Sequence, residues 1–108
     1  MNEAENIRKL VNNSQNPKLV REVLNLIIDR FPDMDLQDYR WQVLCNHVAA
    51  MADRSVRNEK IEPVDPEIFE DISEQSVDLA KEVVAKIGNL CGDEAYLLSV
   101  HFEVVNSK

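Results

Sequence analysis

Apolar residues recur along this chain at spacings of three and four, which is the pattern of amphipathic helices. The pattern predicts six helical segments, at about residues 4–13, 18–30, 36–56, 66–72, 74–87 and 93–106. The sequence has only two glycines and neither an Asn-Gly nor an Asp-Gly pair, so tight β-hairpins are not indicated. We therefore expect an all-α fold.

Polar residues mark where several of these helices begin and end. Asp35 is predicted to cap the long third helix, and Ser73 to cap the helix that follows the short segment, with Ser76 as a second candidate. Gly88 is predicted to end that helix, because glycine readily adopts the backbone conformation of a helix C-terminus.

The last predicted helix is unusually apolar. Its polar residues cluster on one side, and apolar residues cover the rest of the helix, namely Tyr96, Leu97, Leu98, Val100, Phe102, Val104 and Val105. His101 lies near the middle of this apolar arc. So wide an arc suggests more burial than a small monomer offers, and we expect a homodimer.

Length and charge narrow the class of protein. A chain of 108 residues with 44% hydrophobic and 30% charged residues is typical of one globular domain, expected here over residues 1–108. No membrane span and no secretory leader are predicted, so we expect a cytoplasmic protein. The net charge of −8 disfavours direct binding to nucleic acid or to an anionic membrane surface.

The two histidines, His47 and His101, are the main candidates for chemistry. Imidazole changes charge near neutral pH and can act as a nucleophile or a metal ligand. Arg40, His47 and Arg54 are spaced by sevens, so they fall along one edge of a helix. An arginine on each side of an imidazole suits a phosphate group placed on that ring. The same row also fits an ordinary helix edge with solvated or ion-paired arginines.

Catalytic alternatives have weaker support. Two histidines with Asp93 or Glu94 could hold a divalent metal, but no metal-binding helix motif and no glycine-rich phosphate loop is present. We therefore expect no enzymatic activity, no metal site and no cofactor.

Two stretches of sequence resemble a known family. Residues 44–54 (LCNHVAAMADR) resemble the first histidine motif of the PTS regulation domain (PRD), and residues 93–102 (DEAYLLSVHF) resemble the second. The order of the motifs and the Ile-x-Pro-x-Asp-Pro linker between them agree, and the similarity covers about residues 18–106. Unlike many members of the family, this protein is expected to have one copy of the domain and no effector module, and Asn46 stands where many members have Asp.

The resemblance implies a fold and a function. It implies a five-helix PRD-like bundle, here with an additional short N-terminal helix, that pairs as a homodimer. His47 and His101 then correspond to histidines that are phosphorylated by phosphocarrier proteins or sugar-permease subunits of the bacterial phosphotransferase system. We expect Arg40 and Arg54 to contact the phosphate, and Asn46, Asp93 and Glu94 to support the histidines.

The expected output is regulatory. The resemblance implies a stand-alone domain that influences carbohydrate-linked transcription or antitermination, acting through a separate transcription regulator. The alternative is a constitutive dimeric interaction module in which both histidines are structural.

Overall fold

In a computed structural model, residues 3–35 and 37–106 are described, with side chains described for residues 7–35 and 37–105. The α-helices of this part of the chain are α1 (Glu3–Asn13), α2 (Pro17–Arg30), α3 (Tyr39–Arg57), α4 (Glu74–Ile87) and α5 (Glu94–Asn106). A 3-10 turn, Pro66–Phe69, lies between α3 and α4, and these residues form no strand. The predicted all-α fold is confirmed.

Most helix ends are set by local side chains. Pro17 occupies the first turn of α2, where its missing N–H removes no helical hydrogen bond, and the side chain of Asn16 accepts from the Leu19 N–H. Ser73 caps α4 as predicted, and Gly88 ends it with a φ of +76°.

The predicted start of α3 is wrong. Asp35 does not cap it; its carboxylate accepts from the Gln37 N–H at 2.9 Å, and its carbonyl accepts from the Asp38 N–H. These bonds close a turn, so α3 begins three residues later than expected, and Asp38 caps it. Leu36, predicted to lie on the buried side of this helix, falls outside the described residues.

The short segment after the linker is also less helical than predicted. Asp65 caps it and Pro66 begins it, as the sequence indicates, but it is a 3-10 helix that ends at Phe69 rather than an α-helix to residue 72. The Ile72 N–H donates to the Phe69 carbonyl in a further turn before Ser73 caps α4.

The core lies where α2, α3, α4 and α5 meet, and its largest fully buried side chains include Trp41, Phe102, Ile27, Leu44, Met51 and Leu98. Burial of such side chains is the main force that holds a small helical domain together. None of the described helices is long and apolar enough to cross a lipid bilayer.

The orientation of α5 differs from its sequence pattern. Ser99, on the polar side, is fully buried, and Glu103 is half-buried, whereas Val100 and Val104 of the apolar arc are 36% and 44% exposed. Burial of Ser99 is possible because its hydroxyl donates to the Tyr96 carbonyl at 2.6 Å. The chain therefore presents valine, rather than serine and glutamate, to solvent along this helix.

Candidate functional site

The site forms where α3 and α5 pack against each other in antiparallel directions. Near the start of α3, Arg40 Nη1 donates to the Val104 carbonyl of α5 at 3.4 Å. At the middle, the rings of His47 and His101 meet, and near the end of α3, Arg54 binds Glu94 in the first turn of α5. The three heptad-spaced side chains of α3 thus all reach α5, along the length of one helix contact.

The two histidines form a ring pair. The centroids of His47 and His101 are 4.7 Å apart, with an angle of 36° between the ring planes. Sequence alone placed His47 on a helix edge next to an apolar stripe and His101 within an apolar arc, and the fold brings them into contact. The Nε2 atom of His47 is buried and has no hydrogen-bond partner among the described residues. An unsatisfied ring nitrogen is costly in a stable core and is a feature of functional sites.

Both imidazoles are held in their neutral form near pH 7. The pKa of His47 is lowered to about 4, first by burial, then by His101 in its protonated form, and then by the positive charge of Arg54. Burial also lowers the pKa of His101. A neutral imidazole retains a nitrogen lone pair, so each ring is chemically a nucleophile at physiological pH.

Arg54 and Glu94 form the more buried ion pair of the site. Arg54 Nε donates to Glu94 Oε2 at 3.1 Å, and Arg54 Nη2 donates to Glu94 Oε1, so the pair is bidentate. The Glu94 side chain is completely buried and that of Arg54 is 22% exposed. Because a buried carboxylate needs a counter-charge, this end of the helix contact depends on Arg54.

Arg40 is held differently. Its guanidinium binds both oxygens of Asp38, the residue that caps α3, with an Nη2–Oδ2 distance of 2.6 Å. The Asp38 side chain is 25% exposed. Both arginines that were predicted to contact phosphate are therefore bound to carboxylates in this structure, and the predicted phosphate contacts remain predictions.

The predicted supporting residues have separate roles. Glu94 joins the site through Arg54, as described above. Asp93 instead accepts from the Val64 N–H at 3.1 Å and holds the linker between the 3-10 turn and α3 against the start of α5. Asn46 is exposed on α3.

The sequence did not reveal Glu103, two residues beyond His101. Its Oε2 atom accepts hydrogen bonds from the hydroxyls of Ser73 and Ser76, at 2.8 and 2.7 Å. These bonds lower the pKa of Glu103 and tie α5 to the first turn of α4. The sequence offered two serines predicted as helix caps and a carboxylate on the last helix. Only the fold shows that these three side chains meet.

Metal chemistry finds no support in the geometry. No group of three His, Cys, Asp or Glu side chains among the described residues is arranged to hold a metal ion. Arg54 is a charged neighbour of His47, and a cation beside this ring disfavours a second cation there.

Comparison with solved structures assigns the fold. A PRD-containing transcription regulator from Lactobacillus casei ATCC 334 superposes with a TM-score of 0.83 and is 34% identical in sequence. The match covers 94% of this chain and 93% of that one. The chain belongs to the PRD family. No family model and no curated protein matches its sequence. Within the PRD fold, the two motif histidines are the pair that faces across α3 and α5.

Proposed function

We propose that this PRD protein is a regulatory domain that responds to histidine phosphorylation by the phosphotransferase system and influences carbohydrate-linked transcription or antitermination. The main support is the contact between His47 and His101, two neutral imidazoles at the centre of a helix contact in a PRD fold. The proposed role is regulatory rather than enzymatic, and it places the protein in the bacterial cytoplasm, where phosphocarriers act.

A phosphoryl group would be a large perturbation at this position. It adds up to about two negative charges and three acceptor oxygens. The two rings are 4.7 Å apart and partly buried, so a phosphoryl group on either ring is expected to change the contact between the two helices. Arg54 is the cation whose charge acts on His47, so the phosphate competes with Glu94 for the same guanidinium.

This competition gives the modification a structural consequence. If Arg54 turns toward phosphate, Glu94 is left buried without its counter-charge. A buried unpaired carboxylate is unstable, so the first turn of α5 has to move toward water. Phosphorylation thereby changes how α5 packs on α3.

The homodimer expected from the sequence is proposed to use the surface around the histidine pair. Exposed valines surround it: Val43 is four residues before His47, Val100 directly precedes His101, and Val104 follows three residues later. Exposed apolar side chains beside a partly exposed site favour burial against a second copy. A change in α5 packing then reaches the subunit interface, and through it a separate transcription regulator.

The phosphorylation test uses a phosphorylated carrier protein as donor. The wild type is expected to gain acid-labile phosphate, and mass spectrometry should place it on His47 or His101. Substitution of both residues with Gln removes every histidine of the chain and should abolish labelling. Absence of label on the folded wild type, with a known acceptor labelled in parallel, would rule out the proposed response.

The coupling to α5 has its own test. Arg54→Met is expected to permit phosphorylation but to lose the change in sedimentation or helix packing that follows it. Arg40→Met, at the same spacing from His47, is the matched control and should retain that change. Equal behaviour of the two variants would contradict the competition for Arg54.

The dimer surface can be tested with two exposed valines. Val100→Glu introduces a charge beside the histidine pair and should dissociate the dimer in analytical ultracentrifugation. Val56→Glu is the control, because Val56 is exposed and lies nine residues from His47, on the opposite side of α3. A monomeric wild type would refute the dimer.

The constitutive interaction module remains the second candidate, and the exposed valines favour it equally. It predicts that the doubly Gln-substituted protein keeps its dimer and its partner binding whether or not a phosphorylated carrier is present. The regulatory proposal predicts that only the wild type responds to the carrier.

A further inference from the structure

A pocket of about 280 Å³ lies between α1, α2 and the first turn of α3. Its most buried lining residues are apolar: Val11 is 3%, Leu24 is 5% and Trp41 is 1% exposed. Ile7 and Ile28 are half-buried and complete the apolar lining. Apart from Trp41, which lies on α3 three residues before the first histidine motif, its lining residues belong to α1 and α2, and the proposed regulatory role uses none of them.

The polar residues of this pocket are Arg8, Arg21 and Asn25, all three exposed. The two arginines of the pocket differ in ion pairing from the other arginines of the chain. The chain has six arginines, and four of them, at positions 30, 40, 54 and 57, form ion pairs with carboxylates. Arg8 and Arg21 form no ion pair with any residue that the structure describes. In a protein of net charge −8, both such arginines line one apolar pocket.

Trp41 supplies an independent observation. It lines the pocket, it is almost completely buried, and its Nε1 atom has no hydrogen-bond partner among the described residues. A buried indole N–H normally has an acceptor. The pocket therefore combines an apolar lining with the guanidinium groups of Arg8 and Arg21, and none of its described lining residues is a carboxylate.

We propose that this pocket binds a small amphipathic carboxylate. The apolar body lies against Val11, Leu24 and Trp41, and the carboxylate pairs with Arg8 and Arg21, whose guanidinium groups match its geometry. The volume suits a ligand of about ten non-hydrogen atoms, since a water molecule takes about 30 Å³. A straight-chain acid of eight carbons has this size.

Trp41 also provides the measurement, because it is the only tryptophan of the chain. Titration of the full-length protein with octanoate is expected to change Trp41 fluorescence in a saturable way. Octan-1-ol has the same chain without the charge, and it should bind about tenfold more weakly, as expected for loss of a charge-assisted hydrogen bond.

Variants distinguish specific recognition of the carboxylate by Arg8 and Arg21 from nonspecific binding of an apolar chain. Arg8→Gln with Arg21→Gln should lower octanoate affinity about tenfold and leave octanol binding unchanged. Arg57→Gln removes an exposed arginine that is paired with Glu59 elsewhere, and it should have no effect. The protein with both histidines replaced by Gln should bind octanoate as the wild type does, so this test is independent of the phosphorylation proposal.

Three results would overturn the proposal. The first is an unchanged Trp41 emission at millimolar octanoate, with thermal unfolding also unshifted. The second is equal affinity for octanoate and octanol. The third is a Trp41 emission that changes with protein concentration alone, which would show that a second copy of the chain covers the pocket.

Discussion

The two ends of the α3–α5 contact carry the same residue type at the same distance from His47, yet they differ in character. Arg54 neutralises Glu94, which is completely buried, whereas Arg40 binds Asp38, which is 25% exposed and lies on its own helix. The charge of Arg54 contributes to the low pKa of His47, and that of Arg40 is not among the causes. Two arginines at equal spacing from His47 therefore have unequal electrostatic effects on it. The difference follows the burial of the carboxylate that each arginine binds.

The largest expected effect is on the free energy of unfolding when the buried Arg54–Glu94 ion pair is broken. Arg54→Met keeps much of the apolar stem but leaves Glu94 without a counter-charge, so the free energy of unfolding should fall by about 3 kcal/mol. Arg40→Met leaves a partly solvated Asp38 and should cost much less. Urea unfolding of both variants measures the difference, and equal losses would remove the distinction between the two ends.

Replacing the whole buried pair should cost less than breaking it. Arg54→Met combined with Glu94→Leu removes the buried charge as well as its partner, and about 2 kcal/mol of the loss should be recovered. The four proteins of this double-mutant cycle are compared by urea unfolding at pH 7. A double variant less stable than Arg54→Met would show that Glu94 is stabilised by groups other than Arg54.

The next effect is a dependence of stability on pH. The ordinary pKa of histidine is 6.5 and that of folded His47 is about 4, so the unfolded chain binds more protons between these values. Stability is therefore retained above pH 6.5 and declines as the pH falls toward 4. His47→Gln should flatten this part of the profile of melting temperature against pH. An unchanged slope would mean that other groups control the decline.

The smallest effect is on the pKa itself. Arg54→Met removes one of the positive charges that act on His47, so the pKa of His47 should rise, while burial keeps it below 6.5. Arg40→Met should leave it unchanged. NMR titration of the imidazole resonances distinguishes the two arginines, and identical shifts would contradict the asymmetry described above.

Local sequence predicted much of the fold because the signals act over a few residues. Ser73 caps α4 through its own hydroxyl, and Gly88 ends the helix with a positive φ that glycine tolerates. Asp35 shows the limit of such prediction. An aspartate side chain can cap a helix equally well at position 35 or 38. Asp35 instead accepts a hydrogen bond from the Gln37 N–H in a turn, and Asp38 caps α3. Which of the two aspartates becomes the cap depends on the path of the chain.

The candidate site was only partly predictable. The motifs identified His47 and His101, but not that Glu94 is buried, that Asp93 holds the linker, or that Glu103 binds two serines of α4. Likewise Ser99 is buried and Val100 is exposed, the reverse of what their polarity indicates. The partners of Glu94, Asp93 and Glu103 lie 27 to 40 residues away in the chain, and the burial of Ser99 depends on how α5 packs.

By itself, the sequence determined where the helices form, where most of them end and which two imidazoles they carry. Periodicity and capping act within about one turn of backbone, so a local pattern records them. Only the tertiary structure decided that the imidazoles meet, which arginine supports a buried carboxylate, and which side of α5 faces water. Burial and the electrostatics that follow from it depend on how helices pack, and no local pattern records that packing.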